Sequence, residues 1–459
     1  MKIRNRLIAG LLVLIFCLTL LSGCAVKPED TNTVNQNPPS TPSNTPQNTN
    51  KPAFQVLAVT PKPLVSTQNG IAPAAENAAA GANGFAFRLG AALLAENTGP
   101  NFVCSPYSVW LPLAALVNAT DDAHRDALLS VLGAQGISVD DLNTAASRML
   151  YDLTLQLWAQ NNYAGSYDPL QIANAIFVDN DVTLKQDFAQ TFADYYRGSV
   201  MNVDFSSPSA VDAVNKWASD NTNGLIDNVV QEFDPATVAA IANAIYFSDS
   251  WSAQFDPNQT QAGAFHGVSG DSAANFMLKQ GDGLPYYEDG ALQAMPLYFQ
   301  SGGALWILLP KDGDANGLLS SMTSDYFKKI QDGSAAATGK LLLPRFSLDS
   351  SLDLKSALTA LGVPLFDPQT APLTGGLIED ASLPLYVSDA TQKALIKVDE
   401  KGTTAAAVTV MAVTAAGMPL PTTPFSMVCD HPFAFVLTGN TVDGGNQVLF
   451  TGVVGQISG

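Results

Sequence analysis

The run from Thr403 to Ala416 constrains the fold of this chain more than any other stretch. It holds fourteen residues with no charge and no proline, and it mixes small alanines with β-branched valine and threonine. Such a segment normally lies buried in a sheet, because an exposed one invites aggregation. A proline-rich connector at 417–424 follows it and continues neither a strand nor a helix. Two interpretations are open: an ordinary core strand before a turn, or a strand held outside its sheet that enters it later.

The residues at the start of this run favour the second interpretation. Gly402 precedes it and has the backbone freedom of a pivot. Small uncharged side chains allow a strand to slip between two existing strands without burying charge. The period of two in a strand places Thr403, Ala405, Ala407 and Thr409 on one face, and all four are small.

These residues resemble the reactive-loop hinge of the serpin family, and the resemblance extends along nearly all of the predicted folded part. The hinge residues that carry it are Glu400, Gly402, Thr403, Thr404, Ala405, Ala406 and Ala407. The resemblance implies a serpin fold with a large central mixed sheet, further β-sheets, surrounding helices and an exposed reactive loop at about 400–424. The α+β class also fits the mixture of predicted strands and helices, which lacks βαβ regularity.

In the family, the reactive loop is the bait for a protease. The spacing from hinge to bond in the family places the reactive bond between Ala416 and Gly417, and Met418 is the alternative because this connector is long. A small residue before the bond suits a serine protease with a small specificity pocket, of the elastase or subtilisin kind. Cysteine proteases stay open as targets.

The resemblance also implies a cluster of polar residues that controls the opening of the central sheet. Its members in this chain are Ser105, Ser108, Asn243 and Gln392, with Trp251 beside the place where the loop enters. Gln392 stands where many members have histidine, and its amide can hydrogen-bond Asn243 but cannot respond to pH. Independently of the family, Ser105 followed by proline predicts a helix N-cap. Thr404 stands where many members have glutamate, at a position that faces solvent once the strand is inserted.

The N-terminus predicts export and lipidation. Three basic residues within 2–6 precede an apolar run from Leu7 to Leu21, which is shorter than a membrane span and fits a secretory signal. The run ends at Leu-Ser-Gly-Cys, so it resembles a bacterial lipoprotein signal with Cys24 as the lipid-bearing residue. The predicted parts are a signal peptide at 1–23, a disordered tether at 24–53 and a serpin domain at 54–459. The protein is therefore expected outside a bacterial cell, held to a membrane by a lipid anchor.

Composition limits the other functions that the chain can have. The formal net charge is −19 with only 14% charged residues, which gives no electrostatic footprint for nucleic acid. The sequence contains no nucleophile elbow, Walker loop or His-Glu-x-x-His motif, and it indicates neither an enzyme nor a metal or other cofactor. A monomer is expected, with Cys104 and Cys429 as free thiols. Leu341 to Leu348 is predicted as one apolar strand, and Ala394 to Val398 as the strand that feeds the hinge.

The resulting hypothesis is a suicide-type protease inhibitor at the cell surface, which forms a covalent acyl-enzyme complex with its target protease. The alternative is a serpin-fold surface binding protein that does not inhibit. Members of that second kind often have charged or bulky hinge residues, whereas residues 403–407 are small and uncharged.

Overall fold

The computed structural model describes residues 10–19, 55–56, 61–62, 73–154, 170–222, 224, 226, 228–403, 424–441 and 445–457. The α-helices of this described part are α1 (Pro73–Glu96), α2 (Pro106–Leu116), α3 (Asp122–Val131), α4 (Val139–Thr154), α5 (Gln186–Tyr196), α6 (Pro208–Asp220), α7 (Ala315–Ser320), α8 (Ser324–Gly333) and α9 (Lys355–Ala360). The strands are β1 (Gly10–Thr19), β2 (Gln55–Val56), β3 (Phe102–Cys104), β4 (Leu170–Asp179), β5 (Gly198–Val203), β6 (Thr237–Phe247), β7 (Gln261–Gly267), β8 (Gly270–Glu288), β9 (Leu292–Tyr298), β10 (Ala304–Pro310), β11 (Ala335–Pro344), β12 (Phe346–Asp353), β13 (Leu385–Val398), β14 (Phe425–Val428), β15 (Phe433–Asn440) and β16 (Asn446–Val454).

A central mixed sheet organises the fold, with the strand order β12-β13-β1-β6-β4-β5-β2. Strand β4 is antiparallel to β6 and parallel to β5, while β12 is antiparallel to β13. Both faces of β6 are covered. Ile241 and Ile245 point into the main core, and the alanines between them pack in a second cluster with Trp217 of α6. The small alanines let a helix lie close to the sheet on that side.

A second sheet has the order β14-β11-β8-β9-β10-β15-β16-β3, and β7 pairs with β8. Strands β10, β15 and β16 are almost entirely buried, because α1 covers part of this sheet. Within the described chain, one helical stretch, Glu76–Glu96 of α1, is long and apolar enough to span a membrane. Half of the most apolar 18-residue window in that stretch is buried inside the fold, as in a core helix.

The large mixed sheet with helices around it confirms the predicted α+β class. The predicted boundaries at residues 23 and 53 stay predictions.

Two predicted strands have different bounds. Leu341 to Leu348 is not one strand, because β11 ends at Pro344 and β12 begins at Phe346, and the two lie in different sheets. Arg345 forms the junction, and its backbone N–H donates to the Asn275 carbonyl at 2.9 Å. The strand before the hinge also begins earlier than predicted, at Leu385.

Candidate functional site: the hinge and the insertion slot

The central sheet contains a position between β6 and β13 that accepts an additional strand. Strand β1, Gly10–Thr19, occupies it and runs parallel to both neighbours. In this register Phe16 lies opposite Asn243 of β6 and opposite Gln392 of β13. We call this position the insertion slot. Its occupant is the apolar part of the predicted signal peptide, so the slot accommodates ten residues of extended chain.

The chain turns sharply after the end of β13, one of the two strands that border the slot. The Asp399 N–H donates to the Gly402 carbonyl at 3.0 Å, and Gly402 forms a bridge with Ser250, just beyond β6. Gly402 has a φ of 155°, and a Cβ there would lie 2.1 Å from the Asp249 carbonyl oxygen. Only glycine therefore fits this approach of two backbones.

Thr403 is hydrogen-bonded to the backbone of Asp249 beside the slot. Its backbone N–H donates to the Asp249 carbonyl at 2.9 Å, and its hydroxyl accepts from the Asp249 N–H at 3.2 Å. The residue is 1% exposed. The first residue of the charge-free run is thus buried. The residues that follow it, 404–423, lie outside the described part of the chain.

Glu400 anchors the hinge through a buried carboxylate. Arg345 binds it through Nε and Nη2 at 2.6–2.9 Å, and the Thr260 hydroxyl donates to Oε1 at 2.6 Å. Burial alone would raise the pKa of Glu400, but the hydrogen bonds from Arg345 and Thr260 outweigh it and hold the pKa below its ordinary value. The hinge carboxylate is therefore ionised at neutral pH.

Trp251 lies directly against the hinge. Its indole N–H donates to the Asp399 carbonyl at 2.8 Å, and its backbone N–H donates to the Lys401 carbonyl at 2.9 Å. The ring stacks on Phe299 with centroids 4.6 Å apart, and the residue is 1% exposed. This buried aromatic pair fixes the segment to which the hinge is bound.

Ser105 and Gln392 form one half of the expected sheet-opening cluster. Ser105 is the N-cap of α2, as predicted, and its hydroxyl also donates to the Leu449 carbonyl at 2.8 Å. The Gln392 amide bridges the backbone of Ser105, since Oε1 accepts from its N–H and Nε2 donates to its carbonyl, both at 2.9 Å. Gln392 thereby ties β13 to the start of α2.

Asn243 belongs to a separate half of the cluster. Its amide nitrogen donates to Asn174 Oδ1 at 2.7 Å, and the Asn174 amide in turn donates to the Tyr196 carbonyl at 2.5 Å. The expected hydrogen bond between Gln392 and Asn243 is not formed, because β1 lies between their strands. Two oxygens of the cluster, Asn243 Oδ1 and Ser108 Oγ, are buried and have no hydrogen-bond partner among the residues that the structure describes.

Several predicted positions fall outside the described residues. They are the lipidation residue Cys24, the hinge residues Thr404, Ala405, Ala406 and Ala407, and the bond residues Ala416, Gly417 and Met418. Cys104 and Cys429 are free and buried, as expected. Burial raises the pKa of the Cys104 thiol to about 12, which leaves it protonated and unreactive at neutral pH.

The sequence also held signals that our predictions did not use. Asn174 lies in the tetrapeptide Ala-Asn-Ala-Ile at 173–176, which recurs at 242–245, and the two asparagines are directly paired across β4 and β6. This repeated tetrapeptide could have indicated that the two asparagines pair with each other. Arg345 was hidden in an apolar run, and Thr260 and Asp249 are distant in sequence from the hinge, so nothing local identified them.

Comparison with known proteins gives a consistent result. A family model described as "Serpin (serine protease inhibitor)" matches residues 80–457. Antichymotrypsin-2 of Bombyx mori is 30% identical over 383 residues, which cover 81% of this chain and 96% of that protein. Serpin-ZX of Hordeum vulgare is 29% identical over 387 residues, or 81% of this chain and 94% of that protein. The thermophilic serpin Tengpin in its native state has a TM-score of 0.71 at 25% identity, over 87% of this chain and 98% of its own.

Proposed function

Since this chain belongs to the serpin family, whose members are protease inhibitors rather than enzymes, we propose that it is a suicide-type inhibitor that traps its target as a covalent complex. The relation between the hinge and the insertion slot carries this proposal. The hinge turn at 399–402 directs the chain back toward the slot between β6 and β13. A segment that enters by this route runs antiparallel to β13, opposite in direction to β1.

The chemistry belongs to the target protease. Its nucleophile attacks the carbonyl carbon of Ala416, the bond from that carbon to Gly417 breaks, and the new amine takes its proton from the general acid of the protease. The severed segment from Thr403 onward is then free to enter the slot with the protease attached through an ester. Trapping requires that insertion be faster than attack of water on that ester.

Insertion of this segment would release enough free energy to displace a protease. Fourteen extended residues span about 46 Å. About ten new backbone hydrogen bonds contribute roughly 1 kcal/mol each, and apolar burial adds to this. The sum is on the order of ten kcal/mol, which is comparable to the stability of a typical domain.

The proposed class of target protease and the proposed location of the protein rest on residues outside the described part of the chain. Ala416 before the bond favours a serine protease with a small specificity pocket, of the elastase or subtilisin kind. The signal-like segment ending at Cys24 and the polar tether at 24–53 favour a lipid-anchored protein outside a bacterial cell. We place its encounter with proteases at that surface.

The test uses the full chain, expressed and purified in detergent. It is incubated with an elastase-like and a subtilisin-like protease, and products are separated by denaturing electrophoresis. At least one protease should yield a complex that survives denaturation, and mass spectrometry should find Ala416 joined to the nucleophile. The melting temperature should rise strongly once the loop is nicked.

Cleavage with neither a complex nor a change in melting temperature would contradict the proposal. That outcome would favour the alternative, a serpin-fold surface protein that binds without inhibiting.

A further inference from the structure

The chain joins the folded domain at one edge of the central sheet. Strand β2 pairs antiparallel with β5, with Gln55 opposite Asn202. Further along, the Lys62 backbone N–H donates to Asp194 Oδ1 at 2.9 Å, and its ammonium lies 2.8 Å from Oδ2 of the same carboxylate, which is buried on α5. The predicted tether at 24–53 therefore ends beside β5.

The register of the sheet shows at which end the tether arrives. Asn202 of β5 lies opposite Val178 of β4, which lies opposite Ala239 of β6. Gln55 thus shares a row with Ala239, near the start of β6, whereas the hinge lies beyond its last residue, Phe247. At about 3.3 Å per residue, the levels of Ala239 and Phe247 are about 26 Å apart along the strand. The tether and the hinge therefore lie at opposite ends of the central sheet.

The hinge already has the register that an inserted strand would continue. Gly402 forms an antiparallel bridge with Ser250, three residues beyond β6. Continued along β6 without a bulge, this register places Ala416 opposite Ala236, the residue before β6 begins and three residues past the row of Gln55. Insertion would therefore carry Ala416, with the protease esterified to it, to the end of the sheet at which the tether arrives.

Exposed carboxylates surround this end of the sheet. They stand on the loops after β4 and β5, on the turn into β6 and on the segment that bridges to Leu184, and they are Asp181, Asp204, Glu232, Asp234, Glu379 and Asp380. An anionic lipid surface repels such an end within about a Debye length, which is about 8 Å at physiological salt. This end of the domain therefore does not adhere to an anionic membrane.

The space between this end and the membrane must then hold a protease. A protease of about 250 residues has a radius of gyration of about 18 Å and a diameter of about 45 Å. Thirty residues separate Cys24 from Gln55. A disordered chain of that length, as the sequence predicts, reaches about 30 Å on average and about 100 Å at full extension. The tether is therefore long enough to admit the protease, whereas a tether of ten residues reaches at most about 35 Å.

We propose that the trapped protease is carried to the membrane-facing end of the domain and that the tether is the spacer that makes room for it there. The inference rests on the proposed function and its lipid anchor. A tether shorter than the protease opposes insertion and gives water more time to attack the ester. Water then breaks the bond between the Ala416 carbonyl carbon and the protease oxygen, which frees the protease and leaves a cleaved chain. Tether length therefore decides whether the anchored protein acts as an inhibitor or as a substrate.

The test compares three lipidated full chains, each in detergent and on vesicles of phosphatidylethanolamine and phosphatidylglycerol. They are the unsubstituted protein, a variant that lacks residues 29–48 and so keeps ten residues between Cys24 and Gln55, and a control in which twenty Gly and Ser residues replace 29–48. On vesicles, the shortened variant should give several-fold less complex and correspondingly more cleaved chain, with the total consumed unchanged. The control should match the unsubstituted protein, and all three should give equal complex in detergent.

Energy transfer from a dye on the protease to labelled lipid gives the position of the protease directly. A protease whose nucleophilic serine is replaced by alanine docks on the intact loop without chemistry, at the end of the domain that faces away from the membrane. The trapped protease should show several-fold more transfer than this docked one.

Equal complex yields from the short and the full tether on vesicles would overturn the inference, and so would a trapped protease no closer to the lipid than the docked one. Loss of complex by the shortened variant in detergent as well would assign the defect to the domain itself and reject the spacer. Absence of complex from the unsubstituted protein in detergent would instead reject the proposed function.

Discussion

The guanidinium of Arg345 donates three hydrogen bonds to the carboxylate of Glu400, from Nε at 2.8 and 2.9 Å and from Nη2 at 2.6 Å. Arg345 is the junction between β11 of the second sheet and β12 of the central sheet. Glu400 follows β13 at the hinge. The Arg345–Glu400 ion pair therefore links the hinge to the junction between the two sheets.

Removal of the guanidinium should loosen the hinge. In Arg345→Ala the Glu400 side chain, which is 7% exposed, loses its cation and keeps the Thr260 hydroxyl and its own backbone N–H as hydrogen-bond donors. Arg345 itself is about half exposed, so water screens part of the loss, and we expect about 1–3 kcal/mol of destabilisation. Chemical denaturation measures it. The double variant Arg345→Ala with Glu400→Gln should recover part of the loss; no recovery would mean that the pair is not coupled.

The same pair should make stability depend on pH. Because the pKa of Glu400 is held below its ordinary value in the folded protein, its contribution is present above the pKa of the unfolded chain and is lost as pH falls through the folded one. The free energy of unfolding should therefore fall more steeply below about pH 4.5 in the unsubstituted protein than in Glu400→Gln. Parallel curves for the two proteins would exclude this linkage.

Charge in the reactive segment should convert the inhibitor into a substrate. Thr403→Arg is a poor test, because Thr403 is already buried against Asp249 and the substitution would disturb the starting arrangement. Ala405→Arg is a better one, since the period of two places residue 405 on the same face, so insertion would bury its charge. We expect cleavage without complex on denaturing gels. Thr404→Arg, on the opposite face, is the control and should keep its complex yield.

Gln392 should stabilise the start of α2 through its two hydrogen bonds to Ser105. Gln392→Leu leaves the buried N–H and carbonyl of Ser105 without these partners, which should cost about 2 kcal/mol in the free energy of unfolding. Gln392→Glu would place a carboxylate oxygen against the Ser105 carbonyl at a position that is 1% exposed, so this variant should be less stable at neutral pH than at acidic pH, where the protonated acid can donate to that carbonyl. Equal stability of Gln392→Leu and the unsubstituted protein would show that the bridge contributes nothing net.

An uncleaved signal segment should compete with the reactive loop. Because β1 fills the insertion slot, a preparation that retains residues 1–23 should trap protease at a yield several-fold below that of the processed protein. Phe16→Pro would interrupt the backbone pairing of β1 with β6 and β13 and should restore trapping to the retained form. Quantitative gels of the retained, substituted and processed proteins measure the difference. Equal yields from all three would show that the segment does not block the slot.

The special backbone position at Gly402 could be predicted from the sequence because its requirements are local. A glycine where two backbones meet and a run of small, uncharged residues after it are visible in a single stretch. The N-cap at Ser105 was equally accessible, since a serine followed by proline is a local signal. These parts of the fold depend on neighbours in the chain.

The partners of the hinge could not be predicted in the same way. Arg345 lies 55 residues from Glu400, and Thr260 lies 140 residues from it, so only the folded topology brings them together. The pairing of Gln392 with Ser105 rather than Asn243 depends on whether a strand separates β13 from β6. That is a property of the conformational state, which residue types alone do not determine.

The parallel direction of β1 has a consequence for how this protein must be handled. The slot holds β1 parallel to the two strands that border it, and we propose that it admits the reactive segment in the antiparallel direction. It therefore does not select a strand by its direction. When empty, it presents two facing rows of unsatisfied peptide groups, and the extended loop of a neighbouring molecule meets the same requirements. The fraction of the protein that can trap a protease should therefore fall as the protein concentration rises, even where no protease is present.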